Sequence, residues 1–410
     1  MRKSRITPRE ELTSILEGTE ELITPEELLA KLERARREGR PLQVKYGADP
    51  SAPDIHLGHA VSLFKLKELQ EFGHHIIFLI GDFTGMIGDP SGRTKTRPVL
   101  SREEVEKNAE TYKEQVSRIL DVERTEIAYN STWNSALNFE QVIGLCSSTT
   151  VARMLERDDF ARRYKNEVPI SLHEFLYPIA QAYDSVVLRA DLEMGGSDQK
   201  FNFLLAREMQ KDQGQEAQIV ITMPLLVGTD GVQKMSKSLG NYICINEDGV
   251  NIYGKVMSIP DSALESYIRL ASRLPKAEVA KMLAGLKDGS AHPMEIKKQV
   301  AYAITALYAG EEGARRGEEE FARVFQAGED PSAMPLLHID ADAGQIWIVK
   351  LICAVGFART NGEARRLVQQ GAISLDGELV GNPDVNVDIA VERVLRVGKR
   401  RFARVVAKGG

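Results

Sequence analysis

The 410-residue chain holds little cysteine. Cys146, Cys244 and Cys353 lie roughly a hundred residues apart, which gives neither a disulfide framework nor a Cys-x-x-Cys metal site. Long apolar runs are missing too: the strongest, Ile76-Ile77-Phe78-Leu79-Ile80, has five residues where a membrane span needs ~20. The first residues, Met1-Arg2-Lys3-Ser4-Arg5, lead into charged helix rather than an apolar signal core. Internal repeats and low-complexity tracts are absent. The expectation is a soluble, intracellular protein of the cytoplasm, with no membrane partner and no metal site. What is present is average, 43% hydrophobic and 27% charged, and ~150 residues per domain suggests two to four domains.

The net charge of −6 is unevenly spread. Residues 346–410 carry eleven Lys/Arg and six Asp/Glu, or +5, which leaves −11 on the first 345. An acidic body with a basic tail raises the question of nucleic acid.

The residue pattern predicts a parallel α/β sheet. A helix opens at Thr24-Pro25-Glu26-Glu27, with a cap, a proline and acids in the first turn, and closes at Gly39. A strand over Leu42–Gly47, a Pro-rich loop, a helix from about His56 to Gly73 and a strand over 76–80 then read as a βαβ unit. A second set is expected at Ser185–Arg189 (strand), 197–211 (helix) and Ile219–Ile221 (strand). Residues 98–176 read as outer helices with an insertion at about 120–175. From 250 to 327 the pattern is helical, with Ile296, Val300, Ala303 and Leu307 on one face. Gly328, Pro331, Pro335 and Gly344 mark a linker. The end of the chain starts afresh near Trp347, carries a type I′ hairpin at Asp376-Gly377, and continues in strands around Val385–Ile389 and from Val391. The implied domains are 1–245, 246–327, a linker at 328–345, and 346–410.

Two short elements carry chemistry. His56-Leu57-Gly58-His59 opens a helix, where unpaired N–H groups and partial positive charge suit an anion. The histidines can hydrogen-bond a phosphate, and the glycine lets a flat base approach the backbone. A capping cluster is the plain alternative, and zinc another, although no completing Glu or Cys lies nearby. Lys234-Met235-Ser236-Lys237-Ser238 follows the turn Gly228-Thr229-Asp230-Gly231. Two lysines on a mobile loop can close over a polyphosphate and neutralise charge that grows in a transition state.

An H-x-G-H helix start joined to a KMSKS loop resembles the class I aminoacyl-tRNA synthetases. Leu176-Tyr177-Pro178-Ile179-Ala180-Gln181-Ala182-Tyr183-Asp184, Gly195-Gly196-Ser197-Asp198-Gln199 and Gly85-Met86-Ile87-Gly88-Asp89-Pro90-Ser91-Gly92 resemble bacterial tyrosyl-tRNA synthetases in particular. The resemblance implies a Rossmann-like catalytic domain, an α-helical anticodon-side domain, and a small α+β S4-like RNA-binding domain. It implies L-tyrosine, ATP with Mg2+ and tRNA(Tyr) as substrates, and a homodimer with helices around 130–170 at its interface. His56, His59, Lys234 and Lys237 would be catalytic, and Ser51, Gly58 and Ser236 would join them at ATP. Asp49, Asp89, Tyr177, Gln181 and Gln199 would hold tyrosine. Asp184 is the best acceptor for a phenol O–H, since an apolar slot needs one buried acceptor there. Arg365, Arg366, Lys399, Arg400 and Arg401 would bind RNA phosphates, and Arg93 and Arg97 stand where a basic loop would approach ATP or the tRNA end. A tryptophanyl-type enzyme is the nearest alternative. One position departs from the pattern: Lys45 stands where many tyrosyl enzymes carry a phenol-contacting tyrosine. Strand alternation sends its neighbour Tyr46 to the other face, so either Lys45 contacts Asp184 or the substrate oxygen, or the phenol is read differently.

Overall fold

The computed structural model describes residues 6–50, 54–90, 101–325, 334–398 and 401–408. They fall into two compact units, 1–314 and 315–410.

The first unit is built on a six-stranded sheet. Its strands are β1 (Glu21–Ile23), β2 (Gln43–Ala48), β3 (His75–Ile80), β4 (Thr125–Tyr129), β5 (Leu192–Gly196) and β6 (Ile219–Met223), in the order β1-β6-β5-β2-β3-β4. All neighbours are parallel except β1 and β6. Helix Leu57–Phe72 joins β2 to β3, and helix Lys200–Asp212 joins β5 to β6. The chain winds one way from β2 through β3 to β4, and the other way from β5 to β6. The order therefore reverses between β2 and β5. At such a switch a crevice opens beyond the carboxyl ends of the strands. Strand β6 is buried along its whole length, as expected of a strand covered on both faces.

Local sequence explains the boundaries. Thr24 accepts from the Glu27 N–H, Pro25 opens the helix, and Gly39 closes it at φ 65°. A further helix, Pro8–Leu16, precedes it on a capping box of Thr7 and Glu10.

The sheet differs from the sequence expectation at one strand. Ser185–Leu188 is not extended; it is the last turn of helix Leu172–Leu188, which ends at Arg189 in the left-handed region. The strand lies further on, at β5. Val186 has high β propensity, but it continues the helical stripe of Ile179 and Ala182 that packs on Leu205, Ala206 and Met209. Tertiary burial decided the outcome. The segment read as outer helices also supplies an edge strand, β4.

Beyond the sheet the first unit is helical, over Gly249–Met257, Asp261–Leu270, Lys276–Asp288 and the start of Pro293–Phe325. Ile296 and Val300 are buried as expected, but Leu307 is exposed, and the buried face runs instead through Ala301 and Ile304. Gly310, at φ 73°, breaks the last helix soon after.

In the second unit β7 (Leu336–Ile339), β8 (Gln345–Trp347), β9 (Ile373–Leu375), β10 (Glu378–Leu379), β11 (Asn386–Asp388), β12 (Arg393–Val397) and β13 (Arg401–Ala407) form two sheets. One is ordered β10-β9-β12-β13-β7, and the other pairs β11 with β8. Helices Ile348–Ala354 and Asn361–Gln369 pack on them through Leu351, Ile352, Val368, Leu395 and Val405. Asp376 and Gly377 have φ of 49° and 82°, the backbone a type I′ hairpin requires. Leu336–Ile339, expected within the linker, is a strand parallel to β13.

Candidate active site

The crevice at the switch point is a cleft of about 570 Å3. It is lined from the ends of β2 (Lys45 to Asp49), β5 (Gly195, Gly196) and the segment after β6 (Pro224 to Leu226), and by His56, His59, Lys234 and Lys237. The two basic clusters, remote in sequence, thus face one cavity. Backbone pairing brings them there: Leu57 N–H donates to Ile243 O and Ile245 N–H to Ile55 O, both at 3.0 Å. The segment that leaves the lysine loop is stitched to the chain entering the histidine helix by an isolated antiparallel bridge between His56 and Cys244. Met235 lies against Gly58, where an added Cβ would sit 3.6 Å from the Met235 Cβ.

His56 caps helix Leu57–Phe72. Its Nδ1 accepts from the Gly58 N–H at 3.1 Å, and the Nδ1 of His59 accepts from the His56 N–H at 3.3 Å. Both imidazoles therefore carry their proton on Nε2. Burial, then the neighbouring His59 and lysines, hold His56 well below the usual histidine range. Burial and the same lysines push His59 down to about 3. Both rings are neutral hydrogen-bond donors, as the phosphate-binding expectation requires, and they stand beside the two lysines. Gly58 is needed for the cap itself, because a Cβ there would lie 3.0 Å from the His56 ring.

The lysine loop is held at several points. Lys234 Nζ lies 2.5 Å from Asp198 Oδ2. Lys237 Nζ donates to the Tyr112 hydroxyl at 3.2 Å and sits over its ring. Asn241 accepts from the Ser236 N–H and donates to Asp230 and to the Lys234 carbonyl.

Deeper in the cleft is a pocket with two polar ends. At one, Asp184 is buried and accepts from Asn130 Nδ2 (3.1 Å), Trp133 Nε1 (2.7 Å) and Asn134 Nδ2 (2.9 Å). Burial pushes its carboxyl up to about 6, against the pull of Lys45 and of these three donors. At the other end, Tyr177 donates its hydroxyl to Asp49 Oδ2 at 2.8 Å, and Thr84 donates to Asp49 Oδ1 at 2.7 Å. Gln199 Nε2 donates to Asp89 Oδ2 at 2.8 Å, and Arg157 holds Asp89 Oδ1 at 3.2 Å. Asn202 donates to both Gln181 and Gln199. Burial, with Asp49 and Asp89 nearby, raises the Tyr177 phenol well above its usual range. Gly195 keeps the wall thin, since a Cβ there would meet the Phe203 ring at 2.7 Å.

Lys45 makes no hydrogen bond to Asp184. Its ammonium is fully buried and lies 2.9 Å from Glu193. Tyr46 turns to the opposite face, where its ring lies 5.6 Å from that of Phe78, as strand alternation requires.

Sequence reasoning missed Asn130, Trp133, Asn134, Glu193, Asn202, Arg157, Asp198 and Tyr112. An Asn-Ser-Thr-Trp-Asn turn straight after a strand was the available signal for the first three. In the tail, Arg366 is exposed, while Arg365 pairs with Asp384 and stacks on Trp347. Arg401 donates to the Phe357 carbonyl and lies over its ring. Arg393, Arg404 and Lys408 pair with Asp376, Glu392 and Asp340. A run free of acids in sequence is therefore partly neutralised in space. Ser51, Arg93, Arg97, Lys399 and Arg400 lie outside the described residues.

Residues 37–326 match the family of tRNA synthetases class I (W and Y), and residues 346–392 match the S4 domain. The tyrosine–tRNA ligase of Geobacter sulfurreducens is 50% identical over 97% of this chain and 98% of its own. That of Thermotoga maritima is 48% identical over 98% of each. The tyrosyl-tRNA synthetase of Archaeoglobus fulgidus, solved in complex with L-tyrosine, superposes with a TM-score of 0.62 at 26% identity, over 76% of this chain and all of that one. The enzyme of Aeropyrum pernix, at 21% identity and the same TM-score, shares the fold. With its switch-point cleft, its paired histidine and lysine elements and full-length relatives half identical to it, the chain belongs to the class I tRNA synthetases of the tryptophan and tyrosine group.

Proposed function

We infer that the chain is a tyrosine–tRNA ligase. The observation that carries this reading is a single cleft in which a buried phenol acceptor, Asp184, and a phosphate-binding rim of two imidazoles and two lysines lie together. Tyrosine fits with its phenol O–H donated to Asp184 and its ammonium among Tyr177, Asp89, Gln181 and Gln199, with Asp49 behind Tyr177. Its carboxylate is ionised at neutral pH, so no protein nucleophile is needed. It attacks the α-phosphorus of ATP, the bond to the bridging oxygen breaks, and pyrophosphate leaves. Negative charge grows on the departing oxygens. Lys234 and Lys237 meet it, and His56 and His59 donate Nε2–H bonds without changing protonation. Gly58, Ser236 and Ser51 belong to the same ATP site. Mg2+ arrives on the phosphate oxygens, the usual habit of that ion with nucleotides. In the second step the 3′-terminal ribose hydroxyl of tRNA(Tyr) attacks the activated carbonyl and AMP leaves.

The partners follow the same reading. The body to about residue 245 is catalytic, 246–327 faces the anticodon side, and 346–410 binds RNA with Arg365, Arg366, Arg401, Lys399 and Arg400. The working form is a cytoplasmic homodimer. Supporting it, Phe139, Ile143, Val151 and Leu172 are exposed on the helices between 130 and 175, a concentration of apolar surface that suits an interface.

Pyrophosphate exchange in the presence of tyrosine, tryptophan or phenylalanine tests the reading, followed by charging of tRNA. Exchange driven by tyrosine is expected; exchange with tryptophan alone would overturn the substrate. Lys237→Ala should lower the pre-steady-state activation rate by roughly two to three orders of magnitude and leave tyrosine affinity nearly unchanged.

A further inference from the structure

We propose that Lys45, held by Glu193, is a positioning residue for tyrosine recognition: it fixes the helical turn that presents Gln181 and Asp184, and it supplies the positive charge beside which Asp184 stays a carboxylate. The inference rests on the tyrosine reading of the cleft and deepens it.

An ammonium has three donors. Those of Lys45 are committed to Glu193 Oε1 at 2.9 Å, the Gln181 carbonyl at 3.0 Å and Ser185 Oγ at 2.8 Å. None is left for a substrate phenol, so Lys45 acts through its neighbours. Two of the three acceptors, Gln181 and Ser185, bracket one turn of helix Leu172–Leu188, and Asp184 projects from that turn. The other end of the clamp is equally fixed. Glu193 Oε2 accepts from Ser185 Oγ and from Gln218 Nε2. Both members of the pair are almost wholly buried, at 0% and 1% exposed, so solvent cannot screen the charge. The turn is therefore pinned by a cation from β2 and an anion from β5, the two strands that flank the switch point.

The electrostatics point the same way. Asp184 is faced by Lys45 from β2, by Glu193 from β5 across Lys45, and by the neutral groups of Asn130, Trp133 and Asn134 from the segment after β4. Asp82 sits behind that segment, bound to Ser131. Lys45 is the cation among these and the largest pull on Asp184 toward its charged form. Without it only the three neutral donors would oppose the burial that favours the protonated form of Asp184. A protonated Asp184 is a weaker acceptor for the phenol and a poorer basis for refusing phenylalanine.

The test compares wild type, Glu193→Gln and the double variant Lys45→Met/Glu193→Gln by tyrosine-dependent pyrophosphate exchange across pH 5–8. Glutamine at 193 keeps the side-chain size and one of the two acceptor oxygens, removes the anion and leaves the Lys45 charge undivided. Its acidic limb in kcat/KM for tyrosine should therefore lie below that of wild type. Removing Lys45 in that background, where no unpaired carboxylate is stranded, should move the limb up by about one pH unit. The preference for tyrosine over phenylalanine should then fall roughly tenfold, with KM for ATP unchanged. A merely structural lysine would alter KM while the limbs coincide, and coincident limbs with an unaltered tyrosine-to-phenylalanine ratio overturn the proposal. If the double variant does not fold, the Glu193→Gln limb against wild type decides independently: a limb shifted down supports the proposal, and an unmoved one overturns it. Wild-type protein without tyrosine-driven exchange would sink the ligase reading instead, which separates the two failures.

Discussion

Asp184 shows how a single residue is set for its task by surroundings that its sequence neighbours do not reveal. Three donors converge on a carboxylate with almost no solvent, and burial still lifts it to about 6. Below that pH it takes up a proton and ceases to be an anionic acceptor. The tyrosine kcat/KM should therefore fall on the acid side of about pH 6 and level off above it. His59, at about 3, and His56, also depressed, should contribute no second limb in the usual histidine range. Asp184→Asn should remove this limb and cost about 1.5–3 kcal/mol of tyrosine recognition, a charge-assisted bond exchanged for a neutral one. Equal tyrosine kinetics in that variant would remove Asp184 from the site. The sequence made Asp184 legible because it sits in a contiguous family string. Asn130, Trp133 and Asn134 were not, because their role exists only across about fifty residues of intervening fold.

At the scale of elements, contiguous features were readable and composite ones were not. Capping residues, glycine stops and the H-x-G-H and KMSKS strings are local, so helix Leu57–Phe72 and the lysine loop emerged at their places. The Ser185–Arg189 run did not form a strand, since its apolar residues served a helix face instead. Strand β5, which replaced it, hides behind a buried glutamate and two glycines, a composition that offers no alternating signal. Its neighbour in function, the loop before Lys234, depends on a close backbone approach. At Gly228 a Cβ would fall 2.2 Å from Asn241 Nδ2 and 2.7 Å from its carbonyl oxygen. Gly228→Ala must displace Asn241, which anchors both Lys234 and Ser236. Exchange kcat should drop by roughly 100-fold, the cost of an ångström-scale misplacement at a reacting group. Equilibrium binding of tyrosine, measured by fluorescence titration, should hold.

For the whole molecule, charge and exposed apolar surface were visible from composition only in outline. The basic tail was evident, but the pairing of Arg393, Arg404 and Lys408 with acids just outside the strand ends was not. Likewise, helical periodicity between 130 and 175 does not disclose that Phe139 and Leu172 remain 80% and 83% exposed. Placing aspartate at both positions should shift the sedimenting species to the mass of the 45.5-kDa chain; an unchanged dimer mass would move the interface elsewhere. The pairing of Ile55–Leu57 with Ile243–Ile245 has a consequence in time as well as space. It closes a loop of roughly 190 residues, and contacts of such separation are entropically the slowest to form. On refolding from denaturant, the far-ultraviolet dichroism of the sheet and helices should return first, and the ability to form adenylate should lag behind it.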